Sequence, residues 1–164
     1  MNFLQDGVLK LKDLRVPDKK RMAGGPVAMI ECVQEIPCNP CVESCPQQAI
    51  HINGDINGIP VLDFERCTGC GLCLAQCPGL AIFLLNQCHK PDCALLGIPY
   101  EFIPLPEKGD IVELLDRAGK PCGQGRVFQI RNHKNQDRTP IVFLEVDKAL
   151  LMTARHFRKM ASEK

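Results

Sequence analysis

The sequence contains no tryptophan, one tyrosine and seven phenylalanines among 164 residues. Single-stranded nucleic acids stack on aromatic side chains, so this scarcity argues against a nucleic-acid-binding protein. An excess of one charge is also missing, because 20 lysines and arginines face 19 aspartates and glutamates. No apolar run approaches the roughly 20 residues of a membrane-spanning helix. Since the first residues do not resemble a signal peptide either, we expect a cytoplasmic protein without a membrane span.

Cysteine is the residue type that is abundant, with 11 copies. Eight of them fall into two runs that each end in Cys-Pro: Cys32, Cys38, Cys41 and Cys45 in the first run, and Cys67, Cys70, Cys73 and Cys77 in the second. An odd number of cysteines clustered in this way does not suit the disulfide framework of a small secreted protein. The clustering indicates ligation of a metal or of an iron–sulfur cluster.

The second run has the spacing C-x2-C-x2-C-x3-C-P, which starts at Cys67 and ends at Pro78. This is a bacterial iron–sulfur spacing, in which three cysteines hold one cubane cluster and the fourth cysteine ligates another. Gly69 and Gly71 allow the backbone to pass close to inorganic sulfide. Paired C-x2-C motifs also bind zinc, but four cysteines within this short run, ending in Cys-Pro, favour a cubane.

An internal duplication connects the two runs. The unit Cys-Pro-x-x-Ala-Ile occurs at residues 45–50 and again at residues 77–82, with an offset of 32 residues. Short apolar segments bounded by turn residues surround both copies. They predict strands at 27–30, 49–52, 59–62 and 81–85 and brief helices at 40–44 and 71–76.

With these motifs, residues 27–86 resemble a two-cluster bacterial ferredoxin. The resemblance implies an α+β, ferredoxin-like fold, a pseudo-twofold pair of strand–helix–strand units that carries two [4Fe–4S] clusters. It also implies crossed ligation, in which each cluster takes three cysteines from one run and the Cys-Pro cysteine from the other. Carried over by position, cluster one would be held by Cys38, Cys41 and Cys77, and cluster two by Cys45, Cys67, Cys70 and Cys73.

The first run departs from the ferredoxin pattern at its first ligand. Glu35 stands where the family has a cysteine, three residues before Cys38, and the nearest earlier cysteine is Cys32. We favour Cys32 as the fourth ligand of cluster one, because a bulged loop can absorb the extra residues. The alternative is an incomplete cysteine shell, with Cys32 in the core and either a [3Fe–4S] cluster or ligation by Glu35.

Three cysteines lie outside the two runs. Cys88 and Cys93 flank His89 in a short turn, a pattern typical of metal ligands. Two cysteines and one histidine are too few for a third cluster, and such a pair on a surface turn is usually inert. Cys122 lies in a turn rich in glycine and proline, where it is interpreted as a plain turn residue.

The charged residues are unevenly distributed along the chain. Residues 1–26 form a basic N-terminal arm that ends in Gly-Gly-Pro, and we interpret this arm as a docking segment. Residues 27–98 form the expected two-cluster domain, which is acidic: residues 30–98 contain two basic side chains against seven acidic ones. Opposite charges on neighbouring segments suggest docking surfaces of opposite sign, although ordinary solvated faces have the same appearance.

The sequence of the C-terminal part of the chain contains no catalytic motif and predicts a structural scaffold. Residues 99–146 predict a small antiparallel β-barrel or sheet, with strands at 111–115, 125–130 and 141–146. Residues 147–164 predict an amphipathic basic helix that begins after the N-cap Asp147. Its apolar face would consist of Leu150, Ala154, Phe157 and Ala161.

A cluster with four cysteine ligands has no open coordination site, so it transfers electrons and does not bind substrate. The chain is similar to iron–sulfur subunits of flavin-dependent amino-acid dehydrogenases, the proline/hydroxyproline type among them. This similarity rests on residues 31–41, 67–71, 77–83 and 99–106. It implies a hetero-oligomer in which a flavoprotein dehydrogenase gives up electrons singly through both clusters to another carrier.

Three alternative functions remain at this stage. A free-standing ferredoxin would use the same clusters without a fixed partner. A regulatory protein would use them structurally and bind nucleic acid through its C-terminal part, but the basic residues there alternate with acidic ones. Catalysis by the chain itself would need an open-site cluster, for which the ambiguity between Cys32 and Glu35 is the only basis.

Overall fold

The computed structural model describes residues 3–134, 136 and 138–160. Its helices are short: α1 (Phe3–Asp6), α2 (Lys19–Ala23), α3 (Pro40–Glu43) and α4 (Leu72–Gln76), with 3-10 turns at Leu11–Asp13 and Lys148–Leu150. Its strands are β1 (Val27–Ile30), β2 (Ile50–Ile52), β3 (Pro60–Leu62), β4 (Ile82–Asn86), β5 (Cys93–Pro99), β6 (Ile111–Leu115), β7 (Pro121–Arg131), β8 (Ile141–Asp147) and β9 (His156–Lys159).

One large antiparallel sheet runs through most of the protein. Seven strands are hydrogen-bonded in the order β1-β4-β5-β8-β7-β6-β9, and β2 and β3 form a separate antiparallel pair. The expected boundary between residues 98 and 99 falls inside β5, where Gly97 lies opposite Leu84 on one side and Phe143 on the other. The prediction of a separate β domain at 99–146 is therefore wrong, because one ladder of backbone hydrogen bonds continues across the boundary.

The cysteine-rich segment repeats itself in three dimensions. α3 and β2 begin at Pro40 and Ile50, and α4 and β4 begin 32 residues later. The strand pairs repeat as well: Ile30 lies opposite Ile82, and Ile50 lies opposite Leu62. Each Cys-Pro turn contains a non-glycine residue with positive φ, Gln48 at 48° and Leu80 at 52°. The two copies therefore share their local backbone geometry as well as their sequence.

Strand alternation divides the core into two clusters. In β1, Val27 and Met29 face one side, with Phe83 and Leu85 of β4, and contact residues of β5 to β9. Ala28 faces the other side and packs with β2 and with the helices that carry cysteines. Because successive side chains of a strand point to opposite faces, β1 and β4 contribute to both clusters, and most of the cysteines of the two runs pack in the second one.

Strand β5 has no counterpart among the predicted elements. Its sequence between Cys93 and Pro99 is almost uniformly apolar, so it lacks the alternation that indicates a half-buried strand. The strand lies in the middle of the sheet, between β4 and β8, and most of its residues are buried. A side chain at Gly97 would meet Leu84 Cβ at 2.9 Å and the Phe143 ring at 3.1 Å, so only glycine fits between these neighbours.

The predicted C-terminal helix at 147–164 is also wrong over the described residues 147–160. Asp147 caps only a 3-10 turn, by accepting a hydrogen bond from the Ala149 N–H, and β9 follows and pairs with β6. β9 covers an edge of β6 that would otherwise be open, and it places Phe157 on the Tyr100 ring with a centroid distance of 4.6 Å. Sheet pairing and this packing outweigh a short helical pattern. Ala161, the last residue of the predicted face, lies outside the described residues.

The predicted N-terminal arm is partly incorporated into the body of the protein. Helix α2 begins after Asp18, whose side chain accepts a hydrogen bond from the Arg21 N–H. Met22 is buried in the core of the large sheet, and Leu14 packs against the same core. The end of the arm is therefore a structural element, whether or not the exposed lysines before it dock on a partner.

Candidate iron–sulfur centre

Two cavities flank the helices that carry the cysteines. We call cavity one the space lined by Cys32, Cys38, Cys41 and Cys77. We call cavity two the space lined by Cys45, Cys67, Cys70 and Cys73. Each cavity takes three cysteines from one run and the Cys-Pro cysteine from the other, so the eight cysteines meet in two crossed groups of four.

Apolar residues form much of both walls, together with Gln34 in cavity one and Ser44, Gln47 and Thr68 in cavity two. Ile30, Ile36, Pro60 and Ile82 line cavity one. Ala28, Ile50 and Leu62 line cavity two, and at these positions the two walls are related by the repeat. These side chains limit the access of water to most of the cysteines, while Cys70 is exposed. Low exposure to solvent is one of the factors that set the reduction potential of an iron–sulfur cluster.

The structure distinguishes Cys32 from Glu35 as the candidate for the fourth ligand in cavity one. Cys32 is half-buried and lines the cavity. Glu35 is exposed and is not among the residues of that wall. The backbone between Cys32 and Cys38 passes outward as an exposed loop, which absorbs the extra residues of the C-x5-C spacing.

Backbone N–H groups point at several of the sulfur atoms. The Ala49 N–H donates to Cys45 Sγ at 3.3 Å, and the Ala81 N–H donates to Cys77 Sγ at 3.4 Å. These two contacts occupy equivalent positions of the repeat. The Ala28 N–H donates to Cys67 Sγ at 3.5 Å. Such donors stabilise negative charge on sulfur, which suits thiolate ligands.

Burial makes negative charge on the cavity sulfurs costly without a cation. Burial raises the pKa of the Cys41 thiol to about 11, with further contributions from nearby Cys77 and Cys38. Burial also raises the pKa values of Cys73 and Cys32, with smaller contributions from neighbouring cysteines. A bound metal centre reverses this situation, because its positive charge stabilises thiolates outright. The donor set, the N–H groups and the apolar walls therefore fit a cluster in each cavity.

Two arginines that the sequence did not single out hold the loop of cavity two. Arg21 of the N-terminal arm donates to the Cys67 carbonyl at 2.6 Å and to the Pro26 carbonyl at 2.9 Å. Arg131 of β7 donates to the Cys70 carbonyl at 2.8 Å. Gly69 lies between them with φ of +68°, and a side chain there would meet the Pro26 carbonyl oxygen at 2.5 Å. The tight loop thus depends on glycine and on both guanidinium groups.

A buried ionic group lies directly before Cys32. The carboxylate of Glu31 accepts hydrogen bonds from Arg117 at 2.7 and 2.9 Å and from Arg155 at 2.5 Å. The side chains of Glu31 and Arg155 are 6% and 4% exposed. Burial lowers the pKa of the Arg155 guanidinium, and the charge of Glu31 opposes this effect. This group ties the end of β1 to the C-terminal strands.

The cysteines outside the runs line neither cavity. Cys88 is exposed, and its thiol donates to the Ala23 carbonyl at 3.2 Å. Cys93 begins β5, and Cys122 lies in β7 and packs against the core of the large sheet. Burial raises the pKa values of both Cys93 and Cys122. No helix within the described ranges is long and apolar enough to cross a membrane.

Residues 31–81 match the family model described as the 4Fe-4S dicluster domain. This segment is therefore similar to 4Fe-4S dicluster ferredoxin domains, and we call it the ferredoxin-type domain. The match includes all eight cysteines that line the two cavities. It confirms the prediction of [4Fe–4S] chemistry for this part of the chain.

Relatives of the ferredoxin-type domain occur in several kinds of protein. An uncharacterized ferredoxin of Methanocaldococcus jannaschii is 39% identical over 72 residues, which are 43% of this chain and 43% of the relative. The ferredoxin-type protein NapF of Escherichia coli strain K12 is 41% identical over 51 residues, 30% of this chain and 31% of NapF.

A component of the polysulfide reductase of Wolinella succinogenes is 32% identical over 97 residues, which cover 56% of this chain and 48% of the relative. This chain therefore spans less than half the length of each of these three proteins. No solved structure matches the chain significantly.

Proposed function

We propose that the chain is an electron-transfer subunit that holds two [4Fe–4S] clusters, one in each cavity. Cluster one would be ligated by Cys32, Cys38, Cys41 and Cys77, and cluster two by Cys45, Cys67, Cys70 and Cys73. The crossed lining of the two cavities carries this proposal, because it supplies four thiols to each of two sites. The lining by Cys32 and the exposure of Glu35 favour a [4Fe–4S] cluster over a [3Fe–4S] cluster in cavity one.

The ferredoxin-like fold is proposed for the same segment. The repeat of α3 and β2 by α4 and β4 supports it, as does the matching register of the β1–β4 and β2–β3 pairs. In this arrangement each Cys-Pro turn directs its thiol away from the loop before it and into the opposite cavity. The pseudo-twofold relation thus accounts for the crossed lining.

The residues around the cavities suit a relay and not a catalyst. A bound [4Fe–4S] cluster accepts and releases one electron at a time. Four thiolates occupy the protein-facing positions of each site, so no position is left for a substrate. The N–H groups of Ala28, Ala49 and Ala81 stabilise negative charge on the sulfur atoms, and the apolar walls limit access of water.

We propose a hetero-oligomer in which the partner is a flavoprotein dehydrogenase. The similarity of residues 31–41 and 99–106 to the iron–sulfur subunits of such enzymes supports this partner. A second candidate is the catalytic subunit of a reductase. It is favoured by relatives that are named as components of selenate reductase, tetrathionate reductase and polysulfide reductase.

The test is anaerobic purification of the untagged protein from its native cells. We expect about eight iron atoms per chain. We also expect the clusters to be reduced reversibly, as monitored by electron paramagnetic resonance. Co-eluting chains are identified by mass spectrometry, and the visible spectrum is examined for flavin. A stoichiometric flavoprotein supports the first partner, and a reductase chain without flavin supports the second.

Two results would contradict the proposal. A chain that binds iron but cannot be reduced reversibly would indicate structural clusters. A chain that elutes alone and exchanges electrons freely would be a free-standing ferredoxin, which would overturn the assignment as a subunit.

A further inference from the structure

A second group of metal-binding side chains lies outside both cavities. His89 lies in the turn between β4 and β5, Cys93 is the first residue of β5, and Glu145 lies in β8. Each residue offers one ligand atom, and the three atoms lie within 4.8 Å of one another. All three side chains are half-buried.

The fold holds these side chains in place. Glu145 lies opposite Leu95 in the β5–β8 ladder, two residues from Cys93. His89 Nε2 lies 3.0 Å from Glu145 Oε1. The His89 ring also packs edge-on against Phe128, with a centroid distance of 4.8 Å. The imidazole and the carboxylate are thus fixed by the sheet and by an aromatic contact, and the thiol stands at the start of a strand.

We propose that His89, Cys93 and Glu145 bind a zinc ion. Imidazole nitrogen, thiolate sulfur and carboxylate oxygen are the three donor types that zinc takes in proteins, and zinc sites with three protein ligands take water as the fourth ligand. Donor atoms around a tetrahedral zinc are about 3.3–3.8 Å apart, given zinc–ligand distances of about 2.0–2.3 Å. The His89–Glu145 distance of 3.0 Å would widen slightly to reach this range, and the longest separation in the group, at most 4.8 Å, would shorten by about 1 Å.

The surroundings provide both an open side and a competing cation. An open cleft borders the site, lined among others by Asp92, Asp147 and Arg126. Lys90 pairs with Glu145 Oε1, the same oxygen that His89 contacts. The Lys90 side chain is 47% exposed and can turn into solvent when a divalent ion takes its place.

The position of the site would let the ion link two parts of the sheet. β4 follows the Cys-Pro turn of Cys77, and β8 belongs to the C-terminal strands. An ion shared by the β4–β5 turn and β8 would clamp the ferredoxin-type domain to the rest of the sheet. The fourth, water-filled position would face the open cleft.

The experiment is a titration of the anaerobically purified, cluster-loaded protein with Zn²⁺ in competition with a chromophoric chelator. Iron is measured before and after the titration. We expect one zinc per chain without loss of iron, and a zinc X-ray absorption spectrum with one sulfur ligand at about 2.3 Å. His89→Gln and Cys93→Ser should each weaken zinc binding by about 100-fold or more, because even outer-shell changes cost 10–100-fold.

Two further variants sharpen the test. Cys88→Ser is the matched control, since Cys88 lies next to His89 but its thiol points at the Ala23 carbonyl, and zinc affinity should stay unchanged. Lys90→Met removes the competing cation and should strengthen zinc binding about 10-fold. Absence of zinc binding would overturn the proposal, as would equal binding by His89→Gln and Cys93→Ser. Zinc uptake accompanied by loss of iron would also overturn it, because the ion would then occupy cluster cysteines.

Discussion

Cavity one and cavity two are formed by equivalent parts of a repeat, but different parts of the chain anchor them. The loop of cavity two is compact, and the carbonyls of Cys67 and Cys70 each accept a hydrogen bond from an arginine. The loop of cavity one is longer, and its residues 34–37 are exposed. Its anchor is Glu31, which precedes Cys32 and is held by Arg117 and Arg155.

The difference shows what the segments outside the repeat contribute. Arg21 comes from the N-terminal arm and Arg131 from β7, and both hold cavity two. Arg155 comes from the residues just before β9 and holds the strand that leads into cavity one. The additions to the ferredoxin-type domain therefore hold both of its cysteine loops through different residues.

Removing a cysteine from the compact loop should have the largest effect. In Cys70→Ala we expect loss of cluster two, with iron falling to about half or the domain unfolding, because ligand binding and folding are coupled. Iron, sulfide and far-ultraviolet circular dichroism are measured on protein purified without oxygen. Cys88→Ser is the control, since Cys88 is also exposed but lines neither cavity. Full iron content in Cys70→Ala would refute the assignment of Cys70 as a ligand.

The next effect should be confined to cavity one. In Cys32→Ser we expect a three-iron cluster in cavity one while cluster two remains, because one corner of the cubane loses its thiolate. Electron paramagnetic resonance of the oxidised protein detects the three-iron species. Glu35→Gln should leave both clusters intact, since Glu35 is exposed and does not line the cavity. If Glu35→Gln damages the cluster and Cys32→Ser does not, Glu35 is the ligand.

Neutralising Glu31 should destabilise the protein by about 3 kcal/mol, because removing one partner of a buried ion pair leaves buried charge uncompensated. Two arginines would lose their counterion in Glu31→Gln. The free energy of unfolding is measured by denaturant titration of the cluster-loaded protein.

Glu113→Gln is the matched control for this substitution. Glu113 pairs with Arg158 at the surface, where the arginine side chain is 63% exposed. Exposed pairs contribute about 0–1 kcal/mol, so the control should change little. If Glu31→Gln and Glu113→Gln lowered the free energy of unfolding equally, burial of the Glu31 group would add nothing to stability.

The sequence predicted the repeated segment well, because its signals are local. Alternating or short apolar segments next to turn residues marked β1 to β4, and the ends of α3 and α4 agree within one residue. β5 was missed because its uniform apolar sequence carries no period. The C-terminal helix was wrong because a short helical pattern cannot compete with pairing to an open strand edge.

The anchoring residues could not be predicted for a different reason. Arg21 and Cys67 are 46 residues apart in sequence, and Arg155 and Glu31 are 124 apart. Basic residues in an arm or near the end of a chain carry no mark of the carbonyl or carboxylate that they will meet. The fold creates these contacts, and only the three-dimensional structure identifies them.

The smallest effect should be a shift in the reduction potential of cluster two. Arg131 donates to the Cys70 carbonyl, and its guanidinium lies 5.0 Å from the Phe143 ring centroid. Arg131→Met removes a positive charge beside the site, which disfavours the reduced, more negative state. We expect the potential to fall by roughly 20–60 mV, since a partly exposed charge contributes about 0.5–1.4 kcal/mol and 59 mV corresponds to 1.4 kcal/mol for one electron.

In this variant, a potentiometric titration monitored by electron paramagnetic resonance gives the reduction potential of each cluster separately. The potential of cluster one should not change, because Arg131 contacts only the loop of cavity two among the two cysteine loops. Arg126→Met is the control, as Arg126 is an exposed arginine on the same strand that borders a different cleft. Equal shifts of both clusters in Arg131→Met, or the same shift in Arg126→Met, would show that overall charge sets the potentials. The different anchoring of the two cavities would then affect the structure of the cysteine loops but not the reduction potentials of the clusters.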